Sequence, residues 1–247
     1  MTKDEDKVAA LSHLKFFTTP GHDCSYLDGK IATTLFVDPG YKISTLEYSE
    51  LSALGFRRSG QHIYRPHCQD CKACIPLRIP VGNFKPNRTQ KRIFKKNHQI
   101  TVHSTKPEFT LESFDLYDRY IRERHSDGDM YPPNQEQYTS FLIEGRPEAT
   151  FFEFRLGKKL IAIAVADQLK DGLSAIYTFF DPELHHLSLG SYAILWLLNT
   201  TIERRLTYLY MGYWIKECQK MSYKTDYKPM ELFINNQWLP IDEQKSK

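Results

Sequence analysis

Apolar and polar positions alternate with a period of two in some stretches and three to four in others, and the switches mark out the elements. Lys30–Pro39 is predicted as a strand running into a turn. The run Ser44–Phe56 opens on a Ser44/Thr45 cap with Glu47 behind it. It spaces Leu46, Leu51 and Leu54 as one helical face and stops at Gly55. Two strand-like runs, Gln61–Arg65 and Ile75–Val81, flank a group of cysteines, and Asn87–Asn97 is a short basic helix capped by Asn87. The second half begins with a strand at Ile100–Ser104. A helix follows over Thr110–His125, with Phe114, Tyr117 and Ile121 on one face, and then a second helix over Asn134–Glu144. Thr150–Leu156, Leu160–Leu169 and Leu173–Phe180 form a meander whose turns carry Gly157 and Asp171–Gly172. An amphipathic helix at Leu189–Arg204, a strand at Tyr208–Tyr213, a short helix at Lys216–Met221 and a strand at Glu231–Ile234 complete the pattern.

From residue 100 the order is strand, two helices, three strands, helix, strand, helix, strand. That is the order of the acetyltransferase-like α+β fold, one mixed sheet covered by helices. The expected organisation is α+β: a loose tail over residues 1–14, a small N-terminal α/β domain over 15–98, and an acetyltransferase-like C-terminal domain over 99–247. No apolar run approaches the roughly 18 residues a membrane span needs. The longest, Leu160–Ala166, is interrupted by Asp167. The charged start MTKDEDK has no apolar secretory core, so the expected compartment is the cytoplasm. Thiols stay reduced there.

Charge changes the picture more than composition does. Residues 1–70 carry 8 basic and 9 acidic side chains, residues 71–107 carry 9 basic and none acidic, and residues 108–247 carry 16 basic and 21 acidic. The focus of that middle segment is Lys85 together with Arg88, Lys91, Arg92, Lys95 and Lys96 on the short helix. Arg88, Arg92 and Lys95/Lys96 recur at i, i+4 and i+7/8, so they share a face, with Lys91 to one side. Cations packed this densely repel one another unless an anion is near. RNA phosphate would relieve that, and a solvated helix face is the plain alternative. Cys68, Cys71 and Cys74 stand at C-x-x-C-x-x-C, with Cys24 as a candidate fourth ligand. Thiolates at this spacing suit zinc or an iron–sulfur cluster, and reduced packed thiols are the alternative.

Several stretches together carry a resemblance: FFTTPGHDCSYL, FRRSGQHIYRPHCQDCKACIPLRIPV, NRTQKRIFKKN, YIRERHSDGDMYPP, FFDPELHHLSLGSYAI and LYMGYWIKECQKMSYKTDYKP. Over roughly residues 15–232 the chain resembles the bacterial aspartate/glutamate leucyltransferases, relatives of the eukaryotic arginyl-tRNA–protein transferases. The resemblance implies an aminoacyltransferase that moves leucine from leucyl-tRNA to proteins beginning with Asp or Glu, marking them for degradation in the N-degron pathway. No membrane and no DNA enter that reaction. Arginine as the moved residue stays open. So do two readings of another class, an acyl-coenzyme-A N-acyltransferase and a non-catalytic tRNA-binding protein. The eukaryotic relatives carry C-x-x-C and an adjacent Cys–Cys pair. Here Gly21 and Ile75 stand at two of those positions, and only Cys24 and Cys74 match.

An aminoacyl ester is already activated, and an α-amino group of pKa ~7.7–8 is partly neutral near pH 7. Neither a covalent enzyme intermediate nor a cofactor is required. The enzyme must bring amine and ester together and stabilise the oxyanion. The candidates follow from those needs. In the turn Ser188, Gly190 and Tyr192, the first residues of a helix suit the oxyanion or the terminal adenosine. A single glycine there argues against coenzyme A, and a simple Ser cap is the alternative. Tyr177 suits the leaving ribose and Asp181 the attacking ammonium, with a turn-opening Asp-Pro as the alternative. Arg124 or His125, at a helix end, suits a carboxylate. Met130, Tyr131 and Phe180 suit an apolar slot for the transferred side chain. Lys220 and Lys224, at i and i+4, would point the same way in a helix and suit the acceptor's acidic side chain.

Overall fold

Helix starts in this chain are written locally, by side chains that take up the free N–H groups of the first turn. The computed structural model describes residues 11–241. In chain order these hold β1 (Phe16–Thr18), β2 (His22–Asp23), β3 (Ile31–Ala32), β4 (Thr34–Val37), α1 (Thr45–Ala53), β5 (Arg57–Ser59), β6 (His62–Pro66), β7 (Ile75–Pro80), α2 (Arg88–Lys96) and β8 (Ile100–Thr105). Then come α3 (Leu111–Arg124), α4 (Gln135–Tyr138), β9 (Ala149–Leu156), β10 (Lys159–Gln168), β11 (Gly172–Phe180), α5 (Leu189–Glu203), β12 (Tyr208–Trp214), β13 (Met230–Ile234) and β14 (Gln237–Ile241). Reciprocal capping boxes start α1 (Ser44 with Glu47), α2 (Asn87 with Gln90) and α3 (Thr110 with Ser113).

The predicted meander is present, each strand within one residue of its expected ends. Two other expectations are corrected. The helix expected over Asn134–Glu144 is α4 for only one turn and then widens into a π turn over Thr139–Ile143. The short helix expected at Lys216–Met221 is a 3₁₀ segment at Gln219–Asp226. The expected tail falls outside the described residues as far as residue 10. Beyond that, Leu11 and Leu14 are buried with Val37, Tyr48 and Leu51, so they belong to the folded body.

Eight strands form one mixed sheet in the order β14-β13-β7-β12-β11-β10-β9-β8. β7 precedes the expected boundary at 98/99, yet it lies inside this sheet, antiparallel to both β12 and β13. A smaller sheet, β1-β4-β6-β5, and the pair β2-β3 stand beside it. Alternation along β10 divides the core. Ala162, Ala164 and Ala166 face α5 among Phe152, Phe154 and Leu195, while Ile163 and Val165 face α3 among Leu116, Tyr117 and Phe179. The three alanines are small enough to let α5 lie close to the sheet. Helices thus cover both faces. Among the described residues no helix is long and apolar enough to cross a membrane.

Asp167 continues the α3-facing series of β10 one step beyond Val165, and there the small sheet takes over as cover. Arg58 of β5 grips it from Nε and Nη2, the second contact at 2.6 Å, with neither side chain exposed. The Tyr48 hydroxyl of α1 donates to the same carboxylate at 2.7 Å. Removing one partner of such a pair leaves a buried charge without compensation and costs about 3–5 kcal/mol. Asp167→Asn should therefore lower unfolding stability by about that amount in urea titrations. Replacing both partners by apolar residues (Arg58→Met with Asp167→Leu) should cost clearly less than the sum of the single changes.

Candidate active site

β11 and β12 are parallel neighbours for only three residues. Gly172, Leu173 and Ser174 pair with Tyr208, Leu209 and Tyr210. β11 continues to Phe180 beside β10, and β12 continues to Trp214 beside β7, so beyond Ser174 the two strands part. Irregularities sit at the parting: β11 slips register opposite Val165/Ala166, and β12 does so at Tyr210/Gly212, where Gly212 has φ +81°. α5 begins just past the end of β11. Its cap residue, Ser188, holds left-handed backbone (φ 55°, ψ 45°) and makes no side-chain cap. The simple Ser cap is therefore not what this turn is. A non-glycine residue in that region stores about 1–3 kcal/mol of strain, the kind that accumulates where a turn is held for use.

Three elements close around this turn. α2 lies against it: the Lys96 ammonium donates to the His186 carbonyl, Asn97 Nδ2 to the Leu187 carbonyl at 2.9 Å, and Phe94 meets the Tyr192 ring at 5.8 Å. The N-terminal end of α2 reaches the 3₁₀ segment, where Gln90 Nε2 donates to the Asp226 carbonyl at 3.0 Å. The C-terminal end of α3 contributes Tyr120, whose ring packs on Phe180 at 4.9 Å, and Phe180 in turn lies against Gly190. Lys85, Arg88, Lys91, Arg92, Lys95 and Lys96 are all exposed, because Gln90, Ile93, Phe94 and Asn97 take the inward face. Among the described residues none of these six cations lies within 4 Å of a carboxylate.

The other sequence candidates are distributed unevenly. Tyr177 is wedged among Tyr117, Tyr120 and Phe141, and among the described residues its buried hydroxyl has no hydrogen-bond partner. Burial pushes it far above the usual phenol range, with Tyr120 and Tyr117 adding to the effect. Asp181 is fully buried. Burial alone would push its carboxyl up, but Lys159 at 2.7 Å, the Glu183 N–H and Arg119 at 3.2 Å more than offset that and hold it below the usual range. Tyr192 faces the core between Phe94, Phe154 and Trp196 and is not brought to the surface of the turn. Met130 and Phe180 pack on the aromatic cluster beneath α3, and Tyr131 is exposed. Met130 also lines a cavity of about 480 Å³ with Phe141, Gln137 and the β5–β6 turn.

The four expected carboxylate-binding groups are not equivalent. Arg124 is exposed. His125 is hydrogen-bonded to the Tyr120 hydroxyl at 3.1 Å, and burial, with Lys220 and Arg124, holds its imidazole below the usual range. Lys220 and Lys224 do not point the same way, because the 3₁₀ segment turns every three residues and i, i+4 pairs diverge. Lys220 is exposed and paired to Asp127 at 2.7 Å. Lys224 turns inward, is nine-tenths buried, and donates from Nζ to the Tyr213 carbonyl at 2.6 Å. Across the parting from it stands a residue that sequence reasoning missed, Arg57. Its Nη1 donates to Ser174 Oγ at 2.8 Å and its Nη2 to the Ala175 carbonyl.

The sequence matches known proteins along most of its length. Residues 22–92 match the family described as "Arginine-tRNA-protein transferase, N terminus", and residues 112–234 match "Arginine-tRNA-protein transferase, C terminus". An aspartate/glutamate leucyltransferase of Pseudomonas fluorescens (strain SBW25) is 53% identical over 235 residues, covering 95% of this chain and all of that protein. A protein of the same name from Pseudomonas aeruginosa (strain LESB58) is 54% identical over 234 residues, with the same coverage. The chain belongs to this aminoacyltransferase family. Among solved structures, L-PGS from Bacillus licheniformis is similar at a TM-score of 0.45 and 13% identity, over 84% of this chain and 70% of that one.

The transferase's five cysteines are all free and partly buried. Burial pushes the Cys74 thiol up to about 12, and Cys24, Cys68, Cys71 and Cys218 add to it. Among the described residues, no three His, Cys, Asp or Glu side chains are arranged as ligands for a metal ion.

Burial, then the nearby Arg57 guanidinium, holds the Lys224 ammonium down to about 7, with Cys218 opposing. The unfolded chain therefore binds an extra proton between pH 7 and about 10.4, and the folded chain gains stability as pH rises through that window. The stability of Lys224→Met relative to the parent should be more favourable at pH 6.5 than at pH 9.5, because only the parent gains stability through that window. Paired urea titrations of the two proteins would show it.

Proposed function

We propose that this chain transfers leucine from leucyl-tRNA to the α-amino group of proteins beginning with Asp or Glu. The names carried by its relatives support this reading. One geometric observation carries it beyond resemblance: α2, whose six exposed cations at and just before it have no carboxylate within 4 Å among the described residues, ends with Lys96 and Asn97 against the strained turn on which α5 starts, so a bound anionic chain can run along α2 and end at that turn. The parting of parallel β11 and β12 ahead of α5 also supports an acetyltransferase-like reading of the C-terminal half.

The reaction asks little covalent chemistry of the protein. The acceptor nitrogen, having lost a proton, attacks the leucyl ester carbonyl. The new N–C bond forms, the C–O bond to the terminal ribose breaks, and the ribose oxygen leaves with a proton. The free N–H groups of the first turn of α5, at Gly190 and Ser191, suit the developing oxyanion. RNA phosphates along Arg88, Arg92 and Lys95 would relieve the mutual repulsion of those side chains. Tyr177, with its unpartnered hydroxyl, suits a hydrogen bond to the ribose on exposure to substrate.

The decisive assay offers labelled leucyl-tRNA and arginyl-tRNA to peptides beginning with Asp, Glu, Lys and Ala. Leucyl transfer to Asp and Glu is expected. Arginyl transfer would change the donor, and tRNA binding without transfer would sink the enzymatic reading. Replacing Arg88, Arg92 and Lys95 together by Gln should weaken leucyl-tRNA binding. It should also flatten the slope of log affinity against log salt by roughly 2–3, at about 0.7–0.9 per lost phosphate contact.

A further inference from the structure

We propose that Arg57 and Lys224 form the pocket that takes the acceptor's side-chain carboxylate, set in the notch where β11 and β12 part. The assignment rests on the acceptor reading above and names the residues that would enforce it.

Parting strands leave backbone carbonyls without their sheet partners, and buried carbonyls need donors. Each lip of this notch receives its donor from a cation. Arg57 serves the β11 lip at Ser174 and Ala175, and Lys224 serves the β12 lip at Tyr213. The two face each other across Gly212. A Cβ built there would lie 3.5 Å from Arg57 Nη2 and 3.6 Å from Lys224 Nζ. The absence of that atom leaves a point that both cations can reach.

What sets this pair apart is the lack of a counter-charge. Each residue is only 9% exposed, and among the described residues neither has a carboxylate within 4 Å. Among the described residues the other two buried arginines are paired, Arg58 with Asp167 and Arg78 with Glu231. Burying one cation unpaired is costly, and burying two side by side is more so. The depressed Lys224 ammonium reflects that cost. A carboxylate is the ligand that removes it, because the guanidinium fork and a point ammonium together satisfy both its oxygens. The more exposed candidates cannot offer this: Lys220 is committed to Asp127, and Arg124 stands in solvent. The notch also lies near the proposed reaction centre, since Tyr227, three residues beyond Lys224, is close enough to Ser191 in the first turn of α5 for that hydroxyl to act on its own. An acidic residue seated between the two cations therefore has its own α-amino group close by.

The test measures kcat/KM for leucyl transfer by the full chain to peptides beginning with Asp, Glu and Ala, alongside leucyl-tRNA binding. The variants are Arg57→Gln, Lys224→Gln, Lys224→Met and Lys224→Arg. Each neutral variant is expected to lower the preference for acid over Ala by roughly 10- to 150-fold, the range for a lost charged hydrogen bond. The loss should fall mainly on KM, with leucyl-tRNA affinity unchanged and Lys224→Arg retaining part of the preference. Arg57 also holds the sheet edge, so if Arg57→Gln unfolds by circular dichroism, the Lys224 set decides. Neutral Lys224 variants that keep the full preference overturn the assignment. So does a loss in tRNA affinity alone, which would make the notch a phosphate site. A parent protein with no acid preference would instead sink the acceptor reading itself.

Discussion

Two adjacent arginines on a three-residue strand hold this molecule together. Successive side chains on a strand point to opposite sides. Arg58 turns to the Asp167 carboxylate and fixes the small sheet to the large one, while Arg57 turns to the open edge of β11. The orientation of Arg57 thus depends on the Arg58 contact. A slip of one residue in β5 would exchange the two roles and bury a charge against the wrong surface. The turns around β5 oppose such a slip. Gly55 and Gly60 both hold positive φ, and Gly60 lies so close to the Ser140 carbonyl that no Cβ would fit.

The sequence showed the elements whose start or period is encoded locally. Three capped helices, the meander and α5 fall within a residue or two of their expected positions. β5 did not stand out: its Arg-Arg-Ser looks like surface, and what makes it a strand is the Asp167 and Ser174 partners more than 100 residues away. The bracketing Gly55 and Gly60, five residues apart, were the available signal. β14 was missed for the same reason, since it gains its register only against β13.

For the site, residue types were legible but directions were not. The basic face of α2 follows from helical periodicity, and its cations are exposed as expected. Lys220 and Lys224 looked equivalent only on the assumption of an α-helix, and the tighter 3₁₀ turn separates them into one solvent ion pair and one buried ammonium. Arg57 lay within a quoted motif without a role, because the parting of two strands is a tertiary event with no local signature. Tyr192, placed by sequence at the turn, faces inward because the first turn of α5 has already committed that side to Phe94 and Phe154.

The position of β7 has a consequence for biogenesis. It lies in the interior of the large sheet between β12 and β13, yet it leaves the ribosome long before either of them. Throughout that interval Ile75, Leu77 and Ile79 have no sheet to join, and a strand with two open edges invites pairing with the wrong chain. The charge-dense segment that follows, from Lys85 to Lys96, is synthesised next to it, well before the strands that will cover both edges.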